Sequence, residues 1–254
     1  MTTSMLRVRT EGRTSWITLD RPPLNVLNIA MMRELRAVLA DVAPKSDFLV
    51  FEGAGTRGFS AGAEVGDHAP EQIAEMLGAF HGLFRDLWRA DCITISAVHG
   101  VCLGGGCELA TFCDFVVAGQ SAKFGQPEIK LACFPPVAMA VFAQWTGPRA
   151  ALDLILTGRT ISAAEARELG LVTRVVADAE VQRAAQELAA ELAALSPAAL
   201  RMTRRELWRA TGFDFEKTLD AIERAYLDRL AKLPDYAEGI QAFVQKRAPA
   251  WRGR

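Results

Sequence analysis

The sequence predicts an α/β core followed by a helical lobe, and three observations predict it. Short apolar runs of strand character alternate with amphipathic helical stretches through the first half of the chain. Glycine-rich loops sit where strands give way to helices. Such strand–loop–helix–strand units favour largely parallel pairing. From about Pro197 the pattern changes to helical stretches at 197–210, 214–231 and 235–246, with no strand run between them. The division is therefore a core at 1–195 and a lobe at 196–254. The length, 254 residues, fits one large domain or a domain with an appendage at about 150 residues each. Half the residues are apolar, enough for a sizeable core.

The elements follow in order. Leu6, Val8 and Thr10 alternate, Trp16 to Leu19 form a second run, and Glu11-Gly12-Arg13 joins them as a hairpin. Arg21-Pro22-Pro23 ends the pairing. Asn28 is an N-cap for a helix through about Asp41, with Met31, Leu35 and Leu39 on one face. Phe48 to Phe51 reads as a buried strand, and Gly53 to Gly62 as a glycine-rich loop. Residues 71–89 carry an apolar stripe of helical spacing that includes Ile73, Leu77, Phe80 and Phe84. Cys92 to Val98 is a strand, Gly105 to Cys113 a helix, and Asp114 to Val117 a strand. An alanine bias near 184–199 is the one compositional excess.

Composition excludes several classes. The formal charge is -1, from 29 basic and 30 acidic residues, which gives no overall grip on nucleic acid. Residues 195–254 nonetheless hold 12 basic against 8 acidic residues. That surplus fits either solvated helix faces or a lobe near a phosphate-bearing ligand. No apolar run approaches the ~18 residues of a membrane span, and the first residues carry no apolar signal region. The five cysteines form no C-x-x-C and read as reduced thiols of a cytoplasmic protein. No His/Cys/Asp cluster has metal spacing, so no metal is expected.

Two loops carry the chemistry: Gly58-Phe-Ser-Ala-Gly-Ala-Glu64 and Gly100-Val-Cys-Leu-Gly-Gly-Gly-Cys-Glu108. Neither is a phosphate loop, because no Gly-Lys-Ser/Thr follows. The first matches G-x-S-x-G, but a hydrolase elbow needs a histidine late in the chain, and none follows His99. The triple glycine at a strand-to-helix junction lets backbone N–H groups approach a phosphate, carboxylate or developing oxyanion. Close strand–helix packing is the alternative reason for it. Glu108, in the first turn of that helix, and Glu128, in Phe124-Gly-Gln-Pro-Glu-Ile129, are carboxylates in apolar settings. If they converge, one serves as base and the other as acid on a shared water.

Phe59-Ser-Ala-Gly-Ala-Glu-Val65, Ala97 to Ala110 and Phe124 to Ile129 resemble the crotonase, or enoyl-CoA hydratase/isomerase, superfamily, in order and in spacing. The resemblance runs from about residue 6 to the C-terminus. It implies a crotonase-like spiral of ββα units with a C-terminal helical lobe, assembled as a homotrimer or dimer of trimers. It implies an acyl-coenzyme A thioester substrate, with no cofactor beyond the coenzyme A that the substrate itself carries. The oxyanion hole would be the backbone N–H groups of Ala63 and Gly105. Glu108 and Glu128 stand where hydratases of the family carry their catalytic pair, with Glu128 as proton donor to carbon and Glu108 acting on water. Both acids together favour adding or removing water over moving a double bond. Ala61, Val65, Asn25, Phe134 and Lys246 fall on the substrate and coenzyme A side.

The run Lys130 to Ala138 departs from the Gly-Ala-Gly-Gly loop of many members. With Pro22 to Leu35 and Ala63 to His68, it is most similar to cyclohexa-1,5-diene-1-carbonyl-CoA hydratases of aromatic degradation. A generic enoyl-CoA hydratase or isomerase is the alternative, and an RNA-binding member the non-enzymatic one. Asp67 and His68 are either pocket residues or a loop cap. His81 reads as structural and His99 as a hydrogen bond behind the glycine loop. Lys246 and Arg247 either approach coenzyme A phosphates or are ordinary cations at a helix end.

Overall fold

Residues 4–253 are described by a computed structural model, so Met1 to Thr3 of the N-terminal segment and Arg254 lie outside the description. The predicted hairpin forms, with β1 (Leu6–Glu11) antiparallel to β2 (Thr14–Leu19). Asn28 then caps α1 (Ile29–Val42), its side-chain oxygen accepting from the Met31 amide at 2.9 Å.

Three ββα units follow. The first is β3 (Phe48–Gly53), β4 (Gly58–Ser60) and α2 (Ile73–Arg89); the second is β5 (Ile93–Val98), β6 (Val101–Leu103) and α3 (Gly105–Phe112). The third is β7 (Phe115–Gly119), β8 (Lys123–Gly125) and α4 (Pro136–Thr146). The first strand of each unit joins one sheet and the second strand joins another. After α5 (Pro148–Thr157) come β9 (Thr160–Ser162), α6 (Ala163–Glu168), β10 (Arg174–Val176) and α7 (Val181–Ala193). The larger sheet runs β1-β2-β3-β5-β7-β10 and is parallel except at β1. The smaller runs β4-β6-β8-β9 and is parallel except at β9.

Strand alternation sends side chains to both faces of the larger sheet. Ile17, Leu19, Leu49 and Phe51 pack with Met31, Leu35, Leu77 and Phe84 of α1 and α2 in the main core. Trp16, Val50, Ile95 and Val117 face α7, which meets them with Ala184, Ala185 and Leu188. The alanine bias is therefore helix α7 lying close on a sheet. Its small side chains blur the apolar stripe that marks the other helices.

Other differences from expectation have local causes. Asp114 stands before β7 instead of within it, because its carboxylate accepts from the Thr94 amide and hydroxyl and pairs with Arg204 at 2.7 Å. The segments that read as glycine-rich loop contain β4 and β6. Strands of three residues are held by their sheet neighbours and carry too little pattern to stand out.

The lobe consists of α8 (Pro197–Ala210), α9 (Phe215–Asp228) and α10 (Pro234–Val244). Helix α9 buries Phe215, Leu219 and Tyr226 against α4 and α2. None of α8 is buried, and its cations tie it to the core: Arg201 to Asp47 at 2.6 Å and Arg204 to Asp114. Part of the basic surplus of the lobe is spent on these pairs. All five cysteines are buried and free. Among the described residues no helix is long and apolar enough to cross a membrane.

Candidate active site

Strands β4, β6 and β8 are parallel neighbours, and each delivers one part of the site from its C-terminal end. After β4 the chain turns through Ala61-Gly62-Ala63. Ser60 fixes this turn: its hydroxyl donates to the Asn25 carbonyl at 2.8 Å and accepts from the Gly62 amide at 3.1 Å. Both hydrogen-bonding directions of the serine are thereby committed to backbone. Gly62 has φ +102°, and a Cβ there would stand 2.9 Å from the Leu103 carbonyl oxygen and 3.2 Å from the Gly105 amide nitrogen. Only glycine meets both demands.

After β6, Gly104 turns the chain into α3. A Cβ on Gly105 would lie 3.3 Å from the Ala63 amide nitrogen, so the two amides stand side by side. Among the described residues neither has a backbone or side-chain acceptor. Gly105 is also the first residue of α3, where N–H groups are unpaired and the helix dipole favours negative charge. A Cβ on Gly106 would be 2.6 Å from Ser60, so close strand–helix packing and exposed amides are both served by the glycine run.

One turn into α3, Glu108 is 3% exposed, and its Oε1 accepts from the Ala138 amide at 2.8 Å. Burial pushes its pKa up to about 7, against the amides of Ala138 and Val137, which favour the charged form. These amides belong to the N-terminus of α4, which Pro136 opens. Beyond β8, Glu128 sits in a 3₁₀ turn at Pro127–Leu131. A Cβ on Gly104 would be 2.6 Å from its Oε1, and its Oε2 is buried with no partner among the described residues. Burial, followed by the charge of Glu108, holds this carboxyl well above the ordinary range. The charge of Glu108 is thus felt at Glu128, which puts the two carboxyls within reach of one another.

A cavity of about 400 Å³ opens on Glu128, with Ala61, Ala63, Val65, His68, Leu131 and Cys133 in its walls. Helix α10 closes one side with Gly239, Ala242 and Phe243. Two expected contacts, Asn25 and Phe134, are corrected. Asn25 is fully buried at φ +51°; its amide donates to the carbonyls of Ala54, Gly58 and Phe59, and its oxygen accepts from the Arg21 amide. It builds the first loop and has nothing left for a ligand. Phe134 packs edge-on against Tyr226, ring centres 4.8 Å apart, instead of on the cavity. Lys246 stands exposed in a left-handed turn past α10; the lobe cation in the wall is Arg247, whose guanidinium is gripped by Glu238 at 2.5 and 2.9 Å.

The histidines separate clearly. Asp67 is the loop cap, accepting from the Ile29 amide at the start of α1, whereas His68 lines the cavity. His81 is buried and bonded to Glu223 on α9, and His99 bonds the Gly55 carbonyl at 3.1 Å. The α4 amides on Glu108 and the α10 wall were not foreseen. Pro135-Pro136 was the available signal for the former, since proline marks helix first turns.

A family model described as enoyl-CoA hydratase/isomerase matches residues 10–254. The chain is 34% identical over 246 residues to cyclohexa-1,5-dienecarbonyl-CoA hydratase of Thauera aromatica, covering 96% of this chain and 95% of that one. It is 37% identical over 262 residues to a probable enoyl-CoA hydratase of Mycobacterium bovis, with 100% of each chain covered. The solved enoyl-CoA hydratase of Mycobacterium avium subsp. paratuberculosis K-10 superposes with a TM-score of 0.88 at 28% identity, over 98% of this chain and 99% of that one.

Proposed function

The chain belongs to the enoyl-CoA hydratase/isomerase family and is a hydro-lyase of enoyl-CoA thioesters, and we propose that Glu108 and Glu128 carry its chemistry with the amides of Ala63 and Gly105. The observation that carries this reading is the meeting of two unpaired amides with two buried carboxyls, one of which feels the charge of the other. The thioester oxygen takes hydrogen bonds from both amides. Water attacks the β-carbon, Glu108 accepts its proton, and charge moves onto the thioester oxygen as an enolate. Glu128 then protonates carbon. The order follows from the surroundings: the α4 amides favour the charged form of Glu108, and the charge of Glu108 keeps the proton on Glu128. Two fixed donors aimed at the oxygen contribute much of the rate; losing one typically costs about 100- to 1000-fold.

The substrate in this reading is cyclohexa-1,5-diene-1-carbonyl-CoA. The Thauera relative supports it, as does the Lys130–Ala138 run, whose α4 end supplies the amides on Glu108. Relatives named simply as enoyl-CoA hydratases match comparably, which makes a generic enoyl-CoA the second reading. Turnover of crotonyl-CoA, cyclohex-1-enecarbonyl-CoA and cyclohexa-1,5-dienecarbonyl-CoA, followed by loss of enoyl absorbance, separates the two. The dienoyl thioester should have the highest kcat/KM; a preference for crotonyl-CoA defeats the ring assignment. No cofactor enters these steps. The reading extends to a cytoplasmic homotrimer or dimer of trimers, supported by free thiols and by exposed Leu152, Leu156, Met202 and Leu207.

A further inference from the structure

We propose that His68 is a substrate-binding residue that selects enoyl thioesters carrying a hydroxyl group on the acyl chain. This rests on the enoyl-thioester reading of the site and on its second substrate, a generic enoyl-CoA, because the cyclohexadienoyl ring carries no hydroxyl.

His68 ends the 3₁₀ turn Val65–His68 that follows the Ala63 loop, and it lines the same cavity as Glu128. Its Nδ1 lies 3.0 Å from the Glu64 carbonyl oxygen. A carbonyl only accepts, so Nδ1 carries the hydrogen and Nε2 is left with a lone pair. Among the described residues no protein group bonds Nε2, and it is not sealed in the interior as Nε2 of His81 is. Burial lowers the pKa of His68 and keeps the ring neutral, although Asp67 beside it acts in the other direction. The Asp67 carboxylate is turned away onto the Ile29 amide.

His68 is held at its backbone and at one ring nitrogen. Tyr236, buried on α10, donates its hydroxyl to the His68 carbonyl at 2.6 Å, and the Nδ1 bond fixes the imidazole plane. A fixed acceptor loses little freedom when a ligand arrives. Val65, Leu131, Ala242 and Phe243 give the cavity apolar wall, with Glu128, Lys130 and Arg247 as its charged members. A purely hydrocarbon acyl group has no use for a lone pair there and must strip it of water. A hydroxyl on the chain donates to it.

A donor could also come from the pantetheine amides, which every coenzyme A substrate shares. The test therefore reads a ratio between substrates that differ only in the acyl hydroxyl. Hydration of hex-2-enoyl-CoA is compared with that of its 4-, 5- and 6-hydroxy derivatives, in the wild type, His68→Leu and His68→Gln. At least one hydroxy derivative should exceed the parent in kcat/KM. His68→Leu should lower that preference roughly three- to tenfold, the size of one neutral hydrogen bond. His68→Gln, whose amide oxygen accepts, should keep most of it. His68→Phe, which fills the same space, replaces the leucine variant if that one does not fold. The proposal is overturned if the wild type shows no preference, or if removing the imidazole lowers all four substrates alike, the mark of a pantetheine contact. Wild type that turns over none of the four also overturns the proposal, while the hydratase reading is judged separately by the crotonyl, cyclohexenoyl and cyclohexadienoyl panel.

Discussion

Glu52 is the penultimate residue of β3 in the larger sheet, and Glu108 lies one turn into the helix that follows β6 of the smaller one. Both are buried, 6% and 3% exposed, yet the protein treats them in opposite ways. At Glu52 the Thr18 hydroxyl donates to Oε1 at 2.7 Å and the Gln182 amide donates to Oε2 at 3.1 Å. Side chains from β2 and from α7 thus satisfy both oxygens. Glu108 is offered backbone amides alone, and Oε2 of Glu128 receives nothing from the described residues. Leaving a buried carboxyl short of partners is costly, and proteins tolerate it where the group must gain and lose a proton. The difference teaches that burial alone does not mark a reactive acid. What marks it is the lack of committed donors.

That contrast can be broken most sharply by activity. Glu128→Gln and Glu108→Gln should each lower kcat for an enoyl-CoA by about 100- to 10,000-fold, the range of acid–base contributions, with KM little changed. Either variant hydrating at the wild-type rate ends the two-carboxyl mechanism.

Stability against pH gives the next largest effect. Burial raises Glu108 to about 7 from an ordinary 4.5, so the folded state holds this proton more tightly than the unfolded chain does. Folding therefore loses stability as pH rises from about 4.5 to about 7, and the loss persists above that range. Glutamine carries no charge, so Glu108→Gln should be more stable than wild type at pH 8 by on the order of 1–3 kcal/mol. The gain should vanish near pH 4. Urea unfolding at both pH values measures it, and an equal effect at both rejects the explanation. The smallest effect belongs to Glu52→Gln, which keeps the shape of a carboxyl already bonded. It should cost about 1 kcal/mol or less and leave kcat within about twofold. A large loss of activity there would mean that the two regions are not separate in function.

The sequence made one half of this contrast readable. Periodicity marked α1, α2 and the lobe helices, and the hairpin announced itself through Gly12. The two candidate acids were legible because a charged side chain among Leu109, Ala110 and Ile129 is conspicuous. The rest depends on partners far away along the chain. Strand β4 exists because Val101 and Cys102 pair with it. Asn25 looked like a ligand contact because the carbonyls that consume its amide come from residues 54–59. Phe134 lost its place on the cavity to a ring on α9, more than ninety positions later. Of the neighbours Asp67 and His68, composition alone could not say which faced inward.

The arrangement of β4, β6 and β8 also acts as a gauge. Adjacent strands in any sheet are held about 4.8 Å apart by their own hydrogen bonds. The amides of Ala63 and Gly105 follow adjacent strands, so their separation starts from the sheet spacing, and the turn that Ser60 fixes completes it. Glu128 follows the third strand and is calibrated by the same spacing. Changes in α10 can therefore reshape the cavity wall while the chemical yardstick stays the same length. On the proposed mechanism, what the protein recognises is thus held apart from what it does: a ladder of strands carries the acids and amides, and a helical wall faces them.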